Sequence, residues 1–116
     1  MKVAVIGSRN FNDYQKMKDT LDAIEITELV TSGAKGADTL AEQYACERGL
    51  PFRIFLPLHK RDPQVKYHVK WFFERNKELV NYADYVVAFW DGSSKGTKYT
   101  MDYAKKVGKP VEIHSK

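Results

Sequence analysis

With 116 residues and a single cysteine, Cys46, the chain has the length of one domain, able to bury a core without disulfides or structural metal. Its 19 basic and 15 acidic side chains give a net charge of +4 with the two signs interspersed, which suits a phosphate-bearing ligand and does not demand nucleic acid. No long apolar run and no charged-then-apolar leader opens the sequence, so a cytoplasmic protein without a membrane partner is expected.

Apolar runs and amphipathic stretches alternate along the chain. Lys2 to Ile6 carries Val3, Ala4, Val5 and Ile6 without polar interruption, as a strand covered on both faces should, and stops at Gly7. A helix follows from about Asp13 to Ile24, with Met17, Leu21 and Ile24 at helical spacing and Asp13 as its cap. Leu29 to Thr31 reads as a short second strand, Thr39 to Arg48 as a helix closed by Gly49 and Pro51, and Phe52 to Leu56 as the third strand. Pro57 to Lys70 is basic, aromatic and irregular, with a loop expected over its first half. Trp71 to Asn81 reads as a helix, Tyr85 to Trp90 as the fourth strand, Tyr99 to Val107 as a helix closed by Gly108 and Pro110, and Val111 to Ile113 as the last strand. Five strands and four helices in this order predict a single α/β domain over residues 1–116, a Rossmann-like or flavodoxin-like three-layer sandwich around a parallel sheet.

In such sheets ligands bind beyond the carboxyl ends of the strands, where three segments converge. Gly7-Ser8-Arg9 follows the first strand, SGAKGAD (Ser32–Asp38) the second and DGSSKGT (Asp91–Thr97) the fourth. Glycine lets a backbone approach an anion, and the helix that follows presents free amides and the positive end of its dipole. Arg9 can fork onto phosphate, or pair with Asp13. Asp38 can take a ribose hydroxyl, or merely complement its helix dipole. DGSSKGT lacks Walker spacing, which disfavours nucleoside triphosphatase activity, yet Ser93, Ser94, Gly96 and Thr97 can donate to phosphate. Trp90, Phe11 and Tyr14 are base stackers or core and rim residues, and Arg75 and Asn76 taken alone read as a solvated helix face. His59, His68 and His114 have no metal-binding spacing, no Ser, His and Asp set suggests a nucleophilic enzyme, and Cys46 reads as packing.

The ordered set Gly7-Ser8-Arg9 with Phe11 and Asp13, Ser32-Gly33 with Gly36-Ala37-Asp38 and Leu40-Ala41, Arg75-Asn76, Ala83-Asp84 with Val86 to Trp90, Ser94 with Gly96-Thr97, and Gly108-Lys109-Pro110 resembles the YspA or YpsA-related branch of the SLOG superfamily, with Asp91-Gly92 standing in place of the glycine pair of its LOG relatives. The resemblance implies a Rossmann-like domain that binds a nucleotide or a nucleotide-derived ligand, ADP-ribose-like ligands included, and commonly forms homo-oligomers. It also implies two alternatives. LOG relatives hydrolyse nucleoside 5'-monophosphates at the N-glycosidic bond with an arginine, where Arg75 falls, and a glutamate that is missing here, leaving Asp91 or Asp38 as substitutes. DprA relatives bind single-stranded DNA, for which Lys60, Arg61, Lys66 and Lys70 with Tyr67, Trp71 and Phe72 offer a basic, aromatic surface. The reading adopted is a ligand sensor or binding module with no resident cofactor and no metal. Arg9, the glycine turns and Arg75 would hold phosphates, and an aromatic the base. The helix around Trp71, Phe72 and Phe73 offers an oligomer interface, and the origin stays open between cell and phage.

Overall fold

The computed structural model describes residues 1–115. Five parallel strands form one sheet in the order β3-β2-β1-β4-β5, with β1 at Lys2–Gly7, β2 at Glu28–Thr31, β3 at Phe52–Ile54, β4 at Tyr85–Trp90 and β5 at Val111–Ser115. The helices are α1 (Tyr14–Asp22), α2 (Ala37–Arg48), the one-turn α3 (Leu58–Arg61), α4 (Lys70–Tyr82) and α5 (Lys95–Lys106). This strand order is that of the Rossmann sheet rather than the flavodoxin one.

The unbroken apolar runs of β1 and β4 are explained by their central position. Val3 and Val5 of β1, with Val87 and Phe89 of β4, face one core shared with Met17 and Leu21 of α1 and Ala41 and Tyr44 of α2. Ala4 and Ile6, with Val86 and Ala88, face a second core shared with Leu79 and Val80 of α4 and Met101 and Ala104 of α5. Alternate residues of one strand thus serve opposite layers.

Chain order runs from β1 outwards to β3, then crosses back to β4 beside β1, so the switch point lies between β1 and β4. Their register pairs Gly7 with Phe89. The Ser8 amide donates to the Phe89 carbonyl at 3.0 Å, and the Asp91 amide donates back to Ser8 Oγ at 3.0 Å.

At the starts of α2 and α5, and in the stretch after β3, residues expected outside the helices are helical. Asp13 does cap α1, accepting from the Lys16 amide. α2 begins directly after Gly36, whose φ of 83° lets the chain turn into the helix, so Asp38 belongs to the first turn. α5 begins at Lys95, because Ser94 Oγ accepts from the Thr97 amide as an N-cap; Gly96 and Thr97 are therefore helical. In the stretch expected as loop, Leu58–Arg61 closes one turn through the Asp62 amide donating to the Leu58 carbonyl at 3.0 Å. Trp71, Phe72 and Phe73 are half-buried within the chain, with Phe73 set edge-on to Tyr99 at 4.6 Å.

Candidate functional site

The loops after β1, β2 and β4 meet as expected at the carboxyl edge of the sheet, and their contact is close enough to require glycine. A Cβ on Gly36 would stand 2.4 Å from the Ser8 carbonyl oxygen and 2.5 Å from that of Arg9. A Cβ on Gly7 would stand 2.6 Å from Ala37 Cβ and 2.7 Å from the Phe89 carbonyl oxygen. Two of these glycines therefore pack the loops together. Gly96 differs, for a Cβ there would meet nothing within 4 Å: it faces open space.

That space is a cleft with two lobes. The smaller, of 200 Å³, lies over the switch point and is walled by Gly7, Asn76, Ser94, Gly96, Thr97 and Thr100 together with the residues it shares with its neighbour. The larger, of 360 Å³, adds Ser32, Gly33, Lys35, Leu56 and Lys60. Arg9, Ala34, Phe72 and Arg75 wall both. Four cations line the pair and, among the described residues, no carboxylate does. A field of one sign in a concave site attracts anions. A broader depression of 510 Å³ is lined only by Asp13, Gln15, Lys16, Asp19 and Thr20, so it is the flank of one helix with no opposing wall.

Arg75 ties the site together. Only 8% exposed, it donates through Nε to Asn76 Oδ1 at 2.7 Å and through Nη1 to the carbonyls of Ser32 at 3.2 Å and Phe55 at 3.3 Å. Nη2 has no protein acceptor among the described residues. Its guanidinium carbon lies 5.5 Å from the centroid of the Phe72 ring, a cation over an aromatic face. Burial lowers the pKa of Arg75, while the Asp38 charge supports the charged form. Arginine stays ionised under such pressure.

Asp38 is 2% exposed and turned into its own loop. Oδ2 accepts from the Ser32 amide at 2.8 Å, from the Ser32 hydroxyl and from the Ala34 amide at 3.4 Å. Burial pushes its pKa up against the pull of those donors and of Arg75. Its Oδ2 shapes the SGAKG loop, and Asp38 is not among the residues that wall the cleft. Asp91 likewise serves its own turn, Oδ1 accepting from the amides of Ser93 at 2.9 Å and Ser94 at 2.8 Å, which hold its pKa below the usual value. Gly92, with φ of 89°, completes that turn.

Phe11 is a core residue rather than a base stacker, 5% exposed and stacked on Phe89 at 4.6 Å. Trp90 is half-buried and holds the loop after β4 through Nε1 donating to the Ser94 carbonyl at 3.0 Å. Tyr14 bonds Glu47 at 2.5 Å, away from the cleft. Arg9 is exposed and unpaired with Asp13, whose carboxylate caps α1. Arg75 and Asn76 are not a solvated face. Lys35, Leu56, Phe72 and Thr100 also wall the cleft and were outside the expected ligand set; Lys60 and Phe72 belonged to the basic, aromatic surface. Only Lys35 carried a local signal, its place inside the glycine turn.

That surface divides in two. Arg61 pairs with Glu78 at 3.1 Å, Lys70 stands over the Trp71 ring at 4.6 Å, and His59, Tyr67 and Phe72 meet edge-on, whereas Lys60 turns to the cleft. Among the described residues no group of His, Cys, Asp and Glu could hold a metal, and no helix is long and apolar enough to cross a membrane.

Comparison with known proteins gives this geometry a context. A family model, that of the YspA, cpYpsA-related SLOG family, matches residues 1–61. The Gene 61 protein of Mycobacterium phage D29 is 35% identical over 118 residues, covering 95% of this chain and 93% of its own. Among solved structures, DNA processing protein A from Helicobacter pylori, described for its single-stranded DNA binding mode, aligns with a TM-score of 0.75 at 20% identity over 97% of this chain and 64% of its own. DNA processing protein A (DprA) from Streptococcus pneumoniae aligns with a TM-score of 0.81 at 21% identity over 97% of this chain and 49% of its own. The chain thus spans less than two thirds of either protein, and the likeness to them is one of fold.

Proposed function

The chain belongs to the YspA, cpYpsA-related SLOG family, and on that premise we propose that the cleft binds a phosphorylated nucleoside or a nucleotide-derived ligand, as a sensor or binding module. The observation that carries this reading is the composition of the walls: Arg9 and Arg75 with Ser94, Gly96 and Thr97 in the smaller lobe, at the N-terminus of α5, and no carboxylate. Phosphate would sit against the open Gly96 backbone and the Ser94 and Thr97 hydroxyls, with the free Nη2 of Arg75 opposite. A nucleoside would extend along Phe72.

The same walls favour binding over N-glycosidic hydrolysis. That reaction needs a carboxylate to steady an oxocarbenium-like centre or orient water. Asp38 and Asp91, the two candidates, each turn one oxygen to loop amides, Oδ2 and Oδ1 respectively, and neither lines the cleft. Single-strand binding is the second reading, supported by the DprA-like fold and by Lys70 over the Trp71 ring.

The deciding experiment is a thermal-shift and calorimetric panel of nucleoside monophosphates, ADP-ribose and NAD, with product analysis. Binding to the native state must raise its stability. A stabilising nucleotide recovered intact supports the module; release of free base supports hydrolysis; no shift with any member of the panel removes the nucleotide reading.

A further inference from the structure

We infer that the larger lobe is a second anion subsite, so that the ligand class is a nucleoside phosphorylated at two positions, one phosphate in each lobe. The inference rests on the nucleotide reading of the cleft and narrows it.

The two lobes share Arg9, Phe72 and Arg75, and beyond that shared wall they differ in chemistry. The smaller presents hydroxyls and a helix N-terminus; the larger presents two further cations, Lys35 and Lys60, together with the Ser32 loop. Neither lysine pairs with a carboxylate among the described residues, although cations nearby do find partners: Arg61 takes Glu78 at 3.1 Å and Lys77 takes Glu74 at 3.7 Å. Lys35 and Lys60 thus bring two cations without a carboxylate partner among the described residues to one concave wall.

The charges count the same way. One phosphate monoester brings roughly two negative charges, which leaves the set of Arg9, Lys35, Lys60 and Arg75 half compensated. A second phosphate brings the ligand close to balance. Phe72 lies where the lobes join, so the ribose of a nucleoside 3',5'-bisphosphate would bridge the two lobes and its base would lie against that ring. One residue of a nucleic-acid strand also places a phosphate on either side of its ribose, each a diester with a single charge.

The test is isothermal titration of the wild type and of the Lys35→Ala, Lys60→Ala double variant. The probes are nucleoside 5'-monophosphates of the four bases, the corresponding 3',5'-bisphosphates, and tetranucleotides. The expected result is a bisphosphate bound at least about tenfold more tightly than its monophosphate, as added charge-assisted hydrogen bonds would give. In the double variant that ratio should fall to about one, because the lysines act on the second phosphate only. A ratio near one in the wild type, or a ratio that survives the double substitution, overturns the inference while leaving the nucleotide site standing. Absence of all binding overturns the nucleotide reading and this inference with it. Given a second subsite, a tetranucleotide bound more tightly than the bisphosphate assigns the second phosphate to a strand, and equal or weaker binding assigns it to a free small molecule.

Discussion

Arg75 Nη1 donates to the carbonyl oxygen of Ser32 at 3.2 Å, joining residues 43 apart in the sequence. The bond fixes α4 to the loop after β2, and the same guanidinium reaches the Phe55 carbonyl at the end of β3. One side chain thus braces two walls of the cleft, and among the described residues its Nη2 has no protein acceptor. Arg75→Ala is expected to lower the unfolding free energy by about 2–3 kcal/mol, the worth of hydrogen bonds to a buried charge, and to abolish nucleotide-induced stabilisation. Arg75→Lys keeps the charge but not the fork, so it should recover part of the stability and little of the binding. Chemical denaturation and thermal shifts on the pair separate the two roles.

Gly36 and Gly96 make opposite predictions. Gly36 combines φ of 83° with carbonyl oxygens 2.4 and 2.5 Å from any Cβ, so Gly36→Ala should cost more than about 2 kcal/mol and lower soluble yield. Gly96 has φ in the ordinary range and room for a methyl group, so Gly96→Ala should keep or raise stability, by up to about 1 kcal/mol from helix propensity. Its methyl would occupy the approach to the α5 amides. Loss of nucleotide binding in a protein at least as stable as wild type is the expected signature, read by calorimetry beside a denaturation curve.

Asp38 and Asp91 should pull stability in opposite directions with pH. Burial raises the Asp38 pKa above the ordinary 3.8, so the folded state binds the proton more readily than the unfolded one. Its contribution is therefore greatest in acid and declines as pH rises from the ordinary value through the raised one. The Ser93 and Ser94 amides lower the Asp91 pKa, so its contribution is complete above the ordinary value and lost as pH falls through the lowered one. Melting temperatures measured between pH 7 and about pH 3 should show wild type gaining on Asp38→Asn as the solution is acidified. Against Asp91→Asn, wild type should lose ground.

Trp90 offers a spectroscopic report. Its indole donates to the Ser94 carbonyl at 3.0 Å, and Ser94 caps the helix that faces the smaller lobe. In a Trp71→Phe background Trp90 is the remaining tryptophan of two. Its emission should change on saturation with nucleotide and stay constant in the Gly96→Ala variant.

The architecture was legible because β1 and β4 are buried on both faces and so read as unbroken apolar runs, and because Gly49, Gly108 and the prolines after them mark helix ends. The convergence of three loops followed from strand ends alone. The interior of the site was less legible. Asp38 looks the same in sequence whether its carboxylate faces a ribose or its own loop; only the 2.8 Å contact with the Ser32 amide decides. Phe11 and Trp90 sit beside the site in sequence, but their rings are taken up by Phe89 and by Ser94. Lys60 and Phe72 read as part of a nucleic-acid surface rather than of this cleft, because nothing in the sequence of the connection after β3, around the one-turn α3 or the first turn of α4, tells which way those side chains face.

That connection divides labour within the molecule. The surfaces shaped by Gly7, Gly36 and Ser94 are locked into sheet register and helix packing, so a change there disturbs the whole scaffold. Lys60 stands on α3, a single turn of helix that rests on α4 through His59 and Arg61 and takes no part in strand pairing. Its length and charge can drift without shifting any strand, so the fold can acquire a new ligand preference by rewriting one crossover while the other end of the cleft stays as it is.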